Sequence, residues 1–204
     1  MIKKGFTLIE LIIVIGIIAL LATTVILVIN PAKIFQEARD SQRIADFGQL
    51  NTAMGLYFAT VSVYDLDGAG VCLGDWWGSI TAIPAASQPF ANPALTEASQ
   101  ALSVTPRATN GSGWIPVNFS LITSGSPLSA LPMDPRNNST GLLSAVNGGL
   151  FYAYACDGVN NAYEFNTRME SSRYANLGAD DVESTDGGSN ADIFEVGNAP
   201  GLGL

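Results

Sequence analysis

The sequence predicts an α+β fold: a long N-terminal α-helix, membrane-spanning in its first half and amphipathic in its second, packed on a small antiparallel β-sheet head. Three observations lead there: an unbroken apolar run from Phe6 to Ile29, apolar residues at helical spacing from Phe35 to Tyr57, and two aromatic-rich segments, Leu150 to Ala155 and Ala162 to Phe165, that alternate around a turn-forming stretch. With 204 residues, 48% hydrophobic and only 13% charged, the chain holds one moderate core, so one globular domain is expected beside the apolar run.

The first element is the run itself, FTLIELIIVIGIIALLATTVILVI, whose only charge is Glu10. As a helix at about 1.5 Å per residue it is about as long as a bilayer core is thick. Before it stand Met1, Ile2, Lys3, Lys4 and Gly5, a short basic leader ending in a small residue. A conventional secretory signal is cut after a shorter apolar stretch with an A-x-A-like ending, and Ala19 and Ala22 do not supply that spacing, so the segment is expected to stay attached. A carboxylate within a lipid-facing helix costs about 2.5 to 3.5 kcal/mol at mid-membrane and needs a reason. One reason open to Glu10 is its place near the helix start, where a negative charge suits the dipole and the side chain can snorkel to the interface.

Lys3-Lys4-Gly5-Phe6-Thr7-Leu8-Ile9-Glu10 resembles the class III signal of the type IV pilin and type II secretion pseudopilin family. The resemblance implies a prepilin whose leader, residues 1–5, is cut after Gly5 by a prepilin peptidase that also methylates Phe6. It further implies that Glu10 pairs with the N-terminal amine of a neighbouring subunit during assembly, and that the retained helix of residues 6–29 moves from lipid into a filament core. The expected partners are copies of the chain itself, the peptidase, an inner-membrane assembly platform and, before assembly, membrane lipid. The chain is then a single-pass protein of the cytoplasmic membrane with its head outside, and later part of a cell-surface or periplasmic filament. Charge alone does not set this orientation, because Lys3 and Lys4 precede the span while Lys33, Arg39 and Arg43 follow it within a short distance.

After the span, Asn30-Pro31 kinks the helix or divides it in two, since proline lacks an N–H and clashes with the preceding turn. Over residues 30–60, Phe35, Ala38, Phe47, Leu50, Met54 and Tyr57 form one stripe, while Glu37, Arg39, Asp40, Arg43 and Asp46 fall on the other face. The stripe is expected against the head, and charged pairs such as Asp40 and Arg43 are expected to be exposed and worth a few tenths of a kcal/mol. A continuous helix would be about 80 Å long.

Residues 61–112 read as a variable loop region of Gly/Asp and Ala/Pro/Ser turns. Its Trp76 and Trp77, with Trp114, offer either a sugar-stacking or adhesive platform or, as large aromatics usually do, part of a core. Residues 113–170 form the antiparallel β-sheet head, where the two alternating segments are joined by a turn at Asp157-Gly158-Val159-Asn160-Asn161. Leu131-Pro132-Met133-Asp134-Pro135 and Tyr163-Glu164-Phe165-Asn166-Thr167-Arg168-Met169-Glu170 resemble the head of major pseudopilins.

Residues 171–204 are acidic and rich in Gly and Ser, and Asp180, Asp181, Glu183, Asp186 and Asp192 are the short oxygen ligands that Ca²⁺ requires. Major pseudopilins bind calcium near this end, although the spacing is not that of an EF-hand and an acidic Gly/Ser stretch is more often a solvated loop. Cys72 and Cys156 are too few for a disulfide scaffold or a zinc site. Outside the cytoplasm they read as one disulfide, worth roughly 4 to 5 kcal/mol by chain entropy; the alternative is a pair of buried thiols.

Composition also limits the function classes. The formal charge is −9, and the nine Lys and Arg are spread thinly, which gives no stripe able to neutralise a nucleic-acid backbone. The absence of histidine removes Ser-His-Asp and Cys-His catalysis. Asp65, Asp67 and Asp75 stand in Gly-rich turns and read as turn formers rather than a hydrolytic pair, so no enzymatic activity and no organic cofactor are expected. The expected function is a structural subunit of a type IV pilus; a pseudopilin of a secretion or DNA-uptake system and a single-pass anchored binding module are the alternatives.

Overall fold

The computed structural model describes residues 5–68, 72, 75–80, 90, 97–98, 105–137 and 149–198. The basic leader and much of the loop region at 61–112 lie outside the described residues. Helix α1 spans Leu8–Ile29 and α2 spans Pro31–Thr60. They meet at Asn30, whose backbone is left-handed at φ 43°, and Pro31 opens α2 at a position where its missing N–H costs no hydrogen bond. The sequence-predicted rod is therefore two helices.

The head is a five-stranded sheet in the order β2-β1-β3-β4-β5. Its strands are β1 (Asp75–Gly78), β2 (Glu97–Ala98), β3 (Ala153–Asp157), β4 (Ala162–Thr167) and β5 (Phe194–Gly197). All neighbours are antiparallel except β1 and β2, which are parallel. The hairpin β3–β4 lies where the alternation placed it, in the register Tyr154 to Phe165 and Cys156 to Tyr163. Its turn is held by the Asp157 carboxylate, which accepts from the N–H groups of Val159 and Asn160.

The sheet is not confined to residues 113–170. Strands β1 and β2 come from the stretch read as loop, and β5 comes from the acidic tail. The aromatic segment beginning at Leu150 also enters the sheet later than its pattern indicates. At Tyr152 the backbone pairs instead with Ser79: the Tyr152 N–H donates to Ser79 Oγ at 3.0 Å, and the Tyr152 carbonyl accepts the Ser79 N–H at 2.8 Å.

Alternation in β3 and β4 sends side chains to both faces of the sheet. Tyr152, Tyr154, Cys156, Tyr163 and Phe165 turn toward α2, where Phe47, Leu50, Met54 and Tyr57 are fully buried against them. Phe151, Ala153 and Ala155 point the other way and pack with Trp76, Ile80, Phe90 and Ile193. Both faces are thus dry, and every residue of β4 is buried. Tryptophans complete these cores: Trp76, from the loop region, stacks at 19° on Phe151, and Trp114, just beyond that region, is buried with its indole N–H donated to the Pro132 carbonyl. These two tryptophans are core residues, and no platform joins them to the half-buried Trp77.

A disulfide joins Cys72 to Cys156 with Cα atoms 5.4 Å apart, tying the approach to β1 onto β3. Closing a separation of 84 residues stabilises the fold by roughly 4.5 kcal/mol in the chain-entropy model.

Candidate functional site

The candidate site is the start of α1. Gly5, Phe6 and Thr7 precede the helix and are exposed. Thr7 is the N-cap in extended geometry, φ −84° and ψ 151°, and the helix begins at Leu8 because Thr7 and Glu10 close a reciprocal capping box. Glu10 Oε2 accepts the Thr7 N–H and the Thr7 hydroxyl, each at 2.8 Å, while Thr7 Oγ1 accepts the Glu10 N–H at 3.3 Å. The pattern Thr-x-x-Glu was legible in the sequence as a capping signature, yet sequence reasoning credited Glu10 alone.

Behind this cap, Leu8–Ile26 is long and apolar enough to cross a membrane, and none of it is buried within the chain. Leu8, Ile9, Ile13, Ile17, Ile18 and Leu21 are all more than half exposed, and at helical spacing they lie on every side of the helix. Such a surface is stable only in lipid or against other protein. A Cβ added at Gly5 or Gly16 would meet nothing within 4 Å, so the chain's own fold does not require glycine at either position.

The charges of α2 depart from the sequence expectation. Asp40 and Arg43 are completely buried rather than exposed, and the expected stripe residue Phe35 is 63% exposed. The near end of α2 packs on the segments around Asp134 and Glu170 rather than on apolar strands, and those segments offer carboxylates and bare N–H groups. Arg43 donates to Asp134 at 2.6 and 2.9 Å and to Asp40 at 2.7 Å. The Asp40 carboxylate in turn accepts the N–H groups of Glu170 and Ser171 at 2.8 and 2.7 Å.

Around this centre, Glu170 is gripped by Arg39 and Arg136. Burial works against its charge, but those two arginines hold the carboxyl below its ordinary range. Burial likewise opposes the Arg43 charge, and hydrogen bonds to Asp134 and Asp40 outweigh it, so the guanidinium stays protonated. One turn further on, Asp46 accepts the Tyr152 hydroxyl at 2.7 Å, and burial raises its pKa. The spacing of α2 signalled the Asp40–Arg43 pair but not the rest of the cluster or its burial, because the other partners lie 91 and about 130 residues away.

The five acidic residues read as calcium ligands are engaged within their own loops. Asp180 accepts from Arg173, Asp181 from the Leu177 N–H and from Ser184, and Glu183 from the N–H groups of Met169 and Asn176. Asp186 accepts from the N–H groups of Gly188 and Glu195, and Asp192 from the Asn176 amide. Among the described residues, no three His, Cys, Asp or Glu side chains come together as a metal-holding group. Asp65 and Asp67 cap the backbone N–H groups of Gly68 and Cys72, as turn formers do.

Residues 1–26 match the prokaryotic N-terminal methylation motif. No curated protein and no solved structure matches the chain. The N-terminal segment is thus the class III prepilin signal of type IV pilins and pseudopilins, and it is joined to a pilin-like α+β architecture. The chain thus carries a prepilin-type N-terminal motif on a helix long and apolar enough to cross a membrane, and that motif points to a structural role rather than to an enzyme.

Proposed function

We propose that this chain is the structural subunit of a type IV pilus or pseudopilus. A prepilin peptidase cuts after Gly5 and methylates Phe6. The mature protein stands in the cytoplasmic membrane with its head outside until an assembly platform passes it into a filament of like subunits. The observation that carries this reading is an apolar helix that nothing among the described residues buries, set within a prepilin signal and bearing one acid, Glu10.

In that filament, α1 exchanges lipid for the helices of other copies, and Glu10 pairs with the N-terminal amine of a neighbour. Lipid and protein are similarly apolar, so the exchange is nearly neutral for large side chains, whereas release into water would cost on the order of 1 kcal/mol or more for each. Mid-helix Gly16, Gly48 and Gly55 meet nothing within 4 Å of an added Cβ, which suits close approach of neighbouring helices. The Leu-Pro-x-Asp-Pro element ending at Pro135 favours a pseudopilus as the second form of the same reading.

Glu10→Leu tests it. The variant is expected to be trimmed and inserted like the wild type, while filaments recovered by shearing and seen by electron microscopy fall at least about tenfold, as loss of a desolvated ion pair implies. Normal filaments from Glu10→Leu would remove the assembly role.

A further inference from the structure

The cap at Thr7 is the second residue after the Gly5–Phe6 bond that the prepilin signal marks for cleavage. A 22-residue apolar helix in lipid must satisfy its first N–H groups, and it can do so by capping or by continuing upstream through Phe6 and Gly5. The Thr7–Glu10 box supplies the first solution. Its three hydrogen bonds engage the Thr7 N–H, the Thr7 hydroxyl and the Glu10 N–H, and Thr7 itself is extended. Gly5 and Phe6 are left outside any helix and exposed.

Resting on the reading above, we propose that Thr7 is a positioning residue for leader removal: its side chain stops α1 so that the Gly5–Phe6 bond is presented in non-helical form. Peptidases take hold of extended backbone, whose N–H and C=O groups are free to pair with the enzyme, and a helix hides those groups within itself. The step is hydrolysis: water delivers its hydroxyl to the Gly5 carbonyl carbon and a proton to the Phe6 nitrogen, and the peptide C–N bond breaks. Thr7 takes no part in that chemistry. It raises the fraction of chains in which the bond can be reached.

The hydroxyl carries this role more than Glu10 does, because removing the Glu10 side chain leaves the bond from the Glu10 N–H to Thr7 Oγ1 in place. Thr7→Val is nearly isosteric and lacks the acceptor, while Thr7→Ser keeps it.

The test uses full-length precursor in detergent with purified prepilin peptidase, following leader removal by mass. For Thr7→Val, KM is expected to rise by up to about fivefold with kcat unchanged, since a lost cap reduces only the competent fraction of substrate. Thr7→Ser is expected to restore the wild-type KM. Carbon chemical shifts at Gly5 and Phe6 should move toward helical values in Thr7→Val and not in Thr7→Ser. Thr7→Val cut with wild-type KM, with wild-type trimming after Gly5 intact, would overturn the positioning role and leave the proposed function standing. A wild-type chain that is not cut after Gly5 would overturn both.

Discussion

The two helices follow one another directly and differ both in composition and in what holds them: α1 carries a single charge, Glu10, whereas α2 carries Lys33, Glu37, Arg39, Asp40, Arg43 and Asp46. Helix α1 has apolar side chains on every side, and among the described residues nothing buries it, so its stability belongs to its surroundings. Helix α2 is fixed by the head: its far half by Phe47, Leu50, Met54 and Tyr57 against the sheet, and its near half by Arg43 and Asp40 against Asp134 and the segment at Glu170. One helix is made to change neighbours and the other to keep them. The ionic near half of α2 is directional where an apolar seam would tolerate sliding, which fixes α2 at one register on the head.

Breaking the ionic half should give the largest effect. Arg43→Met leaves Asp40 and Asp134 buried without their cation and is expected to cost about 3 to 5 kcal/mol. Thermal unfolding of the full-length protein in detergent would show it as a large fall in Tm. Little change would mean that the near half of α2 contributes nothing to the grip on the head.

The tail that joins this grip is expected to respond to pH. Burial raises the Glu183 carboxyl to about 7, above its ordinary 4.5, despite the N–H groups of Met169 and Asn176 that favour the charged form. The folded chain therefore keeps this proton where the unfolded chain has released it. The stabilising contribution is full below about pH 4.5, declines as pH rises, and is gone above about 7. Glu183→Gln mimics the neutral form, so it is expected to be more stable than the wild type at pH 8 by on the order of 2 kcal/mol, with the gap closing near pH 5. An equal gap at both pH values would assign the effect to packing instead of charge.

The smallest effect sharpens the contrast on α2 itself. Gly48 and Gly55 lie on its exposed side, where an added Cβ meets nothing within 4 Å. Gly48→Ala and Gly55→Ala are each expected to stabilise the unassembled protein by about 1 kcal/mol, as helix propensity alone gives. A loss of stability in the monomer would show that a contact within the chain uses those positions.

The sequence made α1, the prepilin signal and the β3–β4 hairpin legible, because each rests on a local pattern: a long apolar run, a short motif, and alternation around Asp157-Gly158. The break at Asn30-Pro31 was readable as a choice between a kink and two helices. The remaining strands were not readable. Strand β1 is only Asp75–Gly78, β5 only Phe194–Gly197, and neither is long enough to show a period of two. The buried charges were misread for a physical reason: Arg43 on a helix face looks solvated unless Asp134 and the N–H groups of Glu170 and Ser171 are known to face it, and no local spacing reports that. At the site itself, Gly5, Phe6 and Glu10 were named from sequence, while the partner of Glu10 in its own chain, Thr7, was written in the Thr-x-x-Glu spacing and passed over.

Mass spectrometry of the protein purified from cells that possess a prepilin peptidase is the most direct measurement. The expected N-terminal peptide begins at a methylated Phe6 and continues through Thr7 and Glu10, with residues 1–5 gone and α1 intact. A chain that still begins at Met1, or one cut beyond the apolar helix, would contradict a retained helix that exchanges lipid for its own kind.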